Sequence, residues 1–300
     1  MGVDVERART LALAAFFGLA AASCARAPSP LAPNLHGPIG MPHRGVLTDA
    51  DALPRTGPGF TWLRDDERHY AAPRFVRAIA RAAESVAAAR PGAVLAVGDL
   101  SVKSGGRLMP HLSHRTGRDA DLLLYMTTLD GAPVPSPGFI HVQEDGLAWD
   151  EAHHRFLRFD VEREWLLVKA LLTDDDARIQ WVFASRTVEA IVLEWAQARG
   201  ESGDVMLRAQ EAMLQPVPGG VHDDHVHIRT QCSPEEVAAG CEPTGPARSW
   251  IAASAPALDH AATPSDEELA LELSRPLEPE ATAARAAPAA PAAAQAGGTQ

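Results

Sequence analysis

The sequence predicts an α+β domain. Helical and strand-like apolar segments alternate too irregularly for a doubly wound parallel sheet, and no stretch repeats at a fixed period. The 300 residues are 46% hydrophobic, enough for one sizeable core, although that length would also hold two smaller domains. Both ends differ in composition from the middle, so the fold is expected within residues 41–250.

Taken from the N-terminus, Arg7 and Arg9 precede an apolar run over residues 11–22 that closes on the small residues Ala21, Ala22 and Ser23. That is the pattern of a signal peptide, residues 1–23, and the run is too short to span a bilayer. The chain is therefore expected to be exported, to the periplasm or the medium. Cys24 directly follows the small residues, where bacterial lipoproteins carry the cysteine that is lipidated after cleavage. Membrane attachment through Cys24 and plain secretion both stay open. Residues 24–40, rich in Pro and Ala, read as a tether.

Within the domain, residues 73–89 place Phe75, Val76, Ile79, Ala83 and Val86 at helical spacing, and Pro91-Gly92 closes the helix. Residues 93–97 read as a buried strand. Residues 121–126 read as a second, starting just after a polar segment that carries His111 and His114. A proline-studded loop covers 133–137, and 161–172 is apolar enough for a packed helix. A third strand is expected at 179–184, then an amphipathic helix at 187–198 stopped by Gly200, and a further helix at 205–214. Residues 221–229 alternate like a strand. Residues 251–300, dominated by Ala, Pro and Glu, cannot bury enough apolar surface to hold a fold and are expected to be disordered.

The net charge of -12, with no basic stretch, argues against a nucleic-acid partner. Of three cysteines, Cys232 and Cys241 lie close together, and in an exported protein they are expected to form a disulfide rather than half of a zinc site. Nothing in the sequence specifies an oligomeric state.

Five of the twelve histidines fall in two short clusters: His111 and His114 in HLSHRTGRDAD, and His222, His225 and His227 in HDDHVHIRT. Imidazole and carboxylate are good Zn2+ ligands, and a catalytic zinc keeps three protein ligands and one open position. His114, Asp121 and His227 would supply that set. Residues two apart on a strand share a face, so His225 lies beside His227, and Asp119 beside Asp121. Zinc lowers the pKa of bound water to about 7 and polarises a carbonyl. His225 is then expected to orient or deprotonate that water, or to stabilise an oxyanion. His222 and Asp119 would orient the ligands and water around it. His111 would support the site or help hold a second metal, which Asp150 and His153 could join.

HLSHRTGRDAD and HDDHVHIRT resemble the two signatures of the penicillin-insensitive murein endopeptidases, part of the lysostaphin, D-Ala-D-Ala peptidase and hedgehog group. His114 and Asp121 match that group's histidine and aspartate seven residues apart; His225 and His227 match its later His-x-His. The likeness extends over GMPHRGVLTDADALP, VGDLSVKSGGR and WLLVKALL, roughly residues 34–245. It implies a small antiparallel sheet flanked by helices and zinc on His114, Asp121 and His227, with His225 assisting. The implied activity is hydrolysis of peptidoglycan peptide cross-links of the D-alanyl to diaminopimelate type. Two rival functions remain open to the sequence. A D,D-carboxypeptidase would need a cation for a free carboxylate, for which Arg107, Arg115, Arg118 and Arg229 lie near the motifs. A zinc-containing cell-wall binding protein would keep the ligands without turnover.

Overall fold

The computed structural model describes residues 34–216 and 221–252. The signal peptide, Cys24, most of the tether and nearly all of the 251–300 tail, His260 included, lie outside the described residues. The chain divides into Met1–Leu35 and His36–Gln300, and every element named below belongs to the second unit.

Six short strands open this unit: β1 (Pro38–Met41), β2 (Arg44–Leu47), β3 (Asp51–Ala52), β4 (Thr56–Gly57), β5 (Phe60–Trp62) and β6 (Tyr70–Ala71). β1 uses residues assigned above to the tether, because it pairs antiparallel with β2. Helix α1 (Pro73–Ala89) follows. Pro73 stands in its first turn, where a missing N–H costs nothing, and Phe75, Ile79, Ala83 and Val86 form its buried face. Next come β7 (Leu95–Val97), β8 (Asp119–Leu123), β9 (Met126–Thr127), β10 (Pro133–Val134), and the hairpin of β11 (Leu147–Asp150) and β12 (Arg155–Phe159).

Helix α2 (Val161–Thr173) begins at Asp160, whose carboxylate accepts the Arg163 N–H at 3.2 Å. β13 (Ile179–Phe183) leads to α3 (Arg186–Ala198), capped by Ser185, and then to α4 (Gly203–Ala212) and β14 (Met213–Leu214). β15 (His225–Thr230) and α5 (Pro234–Ala238) close the unit, the latter entered by a capping box of Ser233 and Glu236.

The main sheet has seven strands in the order β14-β13-β15-β8-β7-β5-β4. It is larger than the small sheet expected, and it is mixed. β5 and β7 run parallel, as do β13 and β14. Parallel neighbours need a long crossover, which α1 supplies for the first pair and α3 with α4 for the second. β10, β9, β12 and β11 make a separate four-stranded sheet. The core joins α1 and α2 to the main sheet through Phe75, Ile79, Leu95, Leu122, Trp165, Leu171, Val182 and Ile228.

Several element boundaries differ from the expectations drawn from sequence: the strand expected at 221–229 spans His225–Thr230, the one at 93–97 starts at Leu95, and the loop expected at 133–137 opens with the strand Pro133–Val134. The expected helix 205–214 ends at Ala212, because Met213 and Leu214 pair with Val182 and Phe183 at the sheet edge. The strand expected at 121–126 begins at Asp119, since Asp119 and Ala120 pair with Arg229 and Ile228. Its backbone then leaves the main sheet after Leu123 and enters the second sheet at Met126. Cys232 and Cys241 form the expected disulfide. Among the described residues no helix is long and apolar enough to cross a membrane.

Candidate metal centre

The floor of the site is set by strand register. β8 and β15 pair antiparallel with Asp121 opposite His227, Asp119 opposite Arg229 and Leu123 opposite His225. Alternation along each strand therefore puts both aspartates, both histidines and Arg229 on one face. β13 flanks them, and the Phe183 ring meets His227 edge-on at 5.4 Å.

One wall comes from the segment between β7 and β8. His114 has a left-handed backbone, φ 61°. The Ser101 hydroxyl donates to the His114 carbonyl and accepts the Gly117 N–H at 3.0 Å. His114 Nδ1 lies 2.9 Å from the Leu100 carbonyl oxygen. A carbonyl only accepts, so Nδ1 carries the hydrogen and Nε2 presents a lone pair. That Nε2 is buried 3.3 Å from Asp121 Oδ1.

His227 offers Nδ1 to the same oxygen at 3.2 Å, and His225 approaches it with Nε2 at 3.5 Å. His111 Nδ1 stands 3.7 Å from the other oxygen, Oδ2. None of these approaches gives Asp121 a hydrogen bond: His114 Nε2 and both Asp121 oxygens are buried without a partner among the described residues. Buried polar atoms are seldom left so. Three unpartnered donor atoms of the kinds that bind divalent metals converge on one point, and the residues present therefore fit a divalent cation.

The surrounding groups orient that set. Asp119 Oδ1 accepts His227 Nε2 at 3.0 Å and Arg229 Nε at 2.7 Å, while its Oδ2 accepts the His114 backbone N–H at 3.2 Å. Asp224 pairs with His225 Nδ1. The His222 ring lies 5.0 Å from that of His225 and 5.8 Å from that of His227, on a residue with φ 51°. His111 Nε2 bonds Asp99 Oδ2 at 2.7 Å. All six residues singled out from the sequence, His111, His114, Asp121, His222, His225 and His227, thus meet at one centre.

Within it, His111, His114 and Asp121 form one group whose ligand atoms lie within 4.8 Å of one another, and His222, His225 and His227 form another. Asp150 and His153 instead bond each other at 2.8 Å on the β11–β12 hairpin, together with Arg155. Asp99 is a member of the site that the two histidine motifs do not contain, although it lies in VGDLSVKSGGR, a segment of the likeness noted above. No role is assigned to it there; its residue-level signal is a carboxylate just after the apolar run 93–97.

Charge follows the geometry. Burial alone would raise the Asp121 carboxyl, but His114, His225 and His111 hold it well below the usual range. Burial alone would lower His225 and His227. Against it, Asp121 and Asp224 lift His225 to about 10, and Asp119 and Asp121 lift His227 to about 9. His111 is lowered, by burial and by the neighbouring His114. Protons on His225 and His227 thus answer the carboxylate charge at the centre, a role that a cation at Asp121 would take over while displacing protons from its ligands.

The cations expected for a free carboxylate are not uniformly available. Arg118 is buried and donates to the carbonyls of Thr230 at 3.0 Å and Glu242 at 3.1 Å. Arg229 is bound to Asp119, and Arg115 donates to the Leu112 carbonyl at 3.1 Å. Arg107 is exposed.

The site is a cluster of histidines and aspartates that fits a divalent cation, and comparison with known proteins points to peptidases. A family model described as penicillin-insensitive murein endopeptidase matches residues 38–165. A Haemophilus influenzae protein of the name "Penicillin-insensitive murein endopeptidase" is 29% identical over 216 residues, covering 70% of this chain and 68% of the relative. A Salmonella paratyphi C protein of the same name is 27% identical over 212 residues, 69% of this chain and 71% of the relative. One from Klebsiella pneumoniae is 38% identical over 90 residues, 29% of this chain and 32% of the relative. The chain is thus similar to the penicillin-insensitive murein endopeptidases, by the family model over residues 38–165 and by the first two of these relatives over about 70% of its length.

Proposed function

We propose that this protein is an exported zinc metalloendopeptidase that hydrolyses peptide cross-links of peptidoglycan, of the D-alanyl to diaminopimelate type. The observation that carries this reading is the convergence of His114 Nε2 and both Asp121 oxygens, buried and unpartnered, beside His227 Nδ1. His114, Asp121 and His227 would hold the zinc, and His111 would support it or contribute to a second ion. Bound there, a zinc ion supplies Lewis acidity toward the scissile carbonyl and lowers the pKa of water.

The chain's own residues do the rest. Asp119 fixes the His227 tautomer by accepting from Nε2, which keeps Nδ1 turned to the centre. Leu100 does the same for His114 through its carbonyl. His225, steered by Asp224 and backed by the edge of Phe139 at 5.3 Å, holds a proton at Nε2 over the centre. With that proton in place it can stabilise oxyanion charge or pass the proton to the leaving amine, and once Nε2 has lost it, Nε2 can take a proton from the attacking water. His222 lies against both His225 and His227 and assists by keeping their rings in place. We assign residues 41–250 to the enzymatic domain and the N-terminal segment to export.

The test is digestion of cross-linked muropeptide dimers by the purified protein, with and without chelator, alongside His227→Ala. Conversion of dimers to monomers that needs both metal and His227 is expected. Release of terminal D-alanine alone would mean a carboxypeptidase. Binding of wall material by folded, zinc-loaded protein without any cleavage would mean a binding protein.

A further inference from the structure

We propose that Arg64 is a specificity-determining residue, and that its guanidinium binds a carboxylate of the stem peptide beside the scissile bond. The inference rests on the endopeptidase reading for the identity of that carboxylate.

Arg64 reaches the centre along two routes. Its Nη2 donates to Asp99, the carboxylate that also accepts His111 Nε2 at 2.7 Å, and His111 borders Asp121. Its guanidinium carbon also stands 5.6 Å from the centre of the Phe139 ring, whose edge contacts His225. Arg64 and His225 thus touch one and the same ring, which places the arginine on the rim of the site and not behind it.

Neutralising Asp99 does not by itself require Arg64. Arg68 Nη1 already bonds Asp99 at 2.9 Å, and His111 bonds it as well. The Asp99 side chain is 4% exposed, whereas that of Arg64 is 40% exposed. Asp66 takes Arg64 Nε at 3.4 Å. Held on two sides, Nη1 is left with no hydrogen-bond partner among the described residues. A guanidinium fixed in this way has lost most of its rotamer freedom before any ligand arrives, which favours binding a planar anion.

The substrate class supplies such an anion. In a D-alanyl to diaminopimelate cross-link, the carbon bonded to the scissile amide nitrogen bears a carboxylate. An arginine at the rim, one ring away from His225, suits that group.

The experiment compares the purified full chain with Arg64→Met and Arg64→Lys on cross-linked dimers whose diaminopimelate carboxyl at that carbon is free or amidated. The wild type should lose about tenfold in kcat/KM on amidation, mostly in KM, as expected for a partly exposed charge-assisted contact. Arg64→Met should lose the same factor on the free acid and no longer distinguish the two, with Arg64→Lys in between. Metal content and circular dichroism check that each variant is folded. Equal cleavage of both substrates by the wild type, or an undiminished preference in Arg64→Met, would overturn the proposal while leaving the endopeptidase reading intact. If neither substrate is cleaved, the endopeptidase reading fails. The Arg64 contact is then decided by titrating free and amidated monomer peptides against wild type and Arg64→Met: loss of a wild-type preference for the free acid supports it, and equal binding refutes it.

Discussion

Asp121 and His227 stand opposite each other in the β8–β15 register, with Asp121 Oδ1 3.2 Å from His227 Nδ1. They are 106 positions apart in sequence, yet backbone pairing alone brings them together. Because both side chains are held by strands in the middle of the sheet, the centre is built on its most constrained part. A site so placed needs little rearrangement to receive a cation.

Removing the charge at Asp121 while keeping its shape should therefore act on metal directly. Asp121→Asn is expected to lower zinc affinity by more than the roughly 10- to 100-fold typical of losing an orienting partner, and Asp119→Asn by about that 10- to 100-fold. Competition with a chromophoric chelator measures both. Equal affinities for wild type and Asp121→Asn would remove Asp121 from the ligand set.

Glu164 gives a pH prediction remote from the centre. It is fully buried on α2, with Oε2 accepting the Tyr125 N–H at 3.2 Å and Oε1 unpartnered among the described residues. Burial pushes its carboxyl up from 4.5 to about 8, aided by the charge of Asp160 and opposed by the Tyr125 hydrogen bond. Below 4.5 the folded and unfolded chains both hold the proton. Between 4.5 and about 8 only the folded chain holds it, so stability falls as pH rises and levels off above 8. Glu164→Gln should flatten this slope and gain stability relative to the wild type at pH values above about 8. Denaturant unfolding across that range checks it, and parallel wild-type and variant profiles would count against it.

Gly117 is the backbone hinge that lets the His114 segment pack. Its φ is 70°, and an added Cβ would lie 2.6 Å from Leu47 Cδ2 and 2.9 Å from the Ala72 nitrogen. Gly117→Ala should cost about 1–3 kcal/mol of stability through backbone strain. Because His114 is three residues away, metal affinity should weaken as well. Unfolding and chelator titration of the same preparation report the two effects separately.

The disulfide between Cys232 and Cys241 closes a short loop just after β15. Replacing both cysteines by alanine should remove about 2–3 kcal/mol by the loop-entropy argument. The residues of the centre lie outside that loop, so zinc stoichiometry should remain unchanged. Loss of zinc along with stability would show that the loop also braces β15.

Much of the site is legible in the order of residues. Imidazole and carboxylate at the spacings of His114, Asp121, His225 and His227 carry their chemistry in the residue types themselves. Helices such as α1 and α2 are legible too, because a long amphipathic period leaves a strong local signal. The N-terminal strands and the β11–β12 hairpin are not. They are two to five residues long and are held by partners elsewhere in the chain, so no local window contains the information that forms them.

By itself, then, the sequence determined the mixture of helices and strands, the main helices and the disulfide partners, and it singled out six residues that the structure brings close together. Tertiary structure alone decided that the main sheet is mixed, because parallel pairing depends on where the crossovers of α1, α3 and α4 return the chain. It also decided that Asp99, Arg64 and Phe139 border the site. Their position rests on contacts with residues far away in sequence, and a lone aspartate, arginine or phenylalanine carries no mark of which contact it will make.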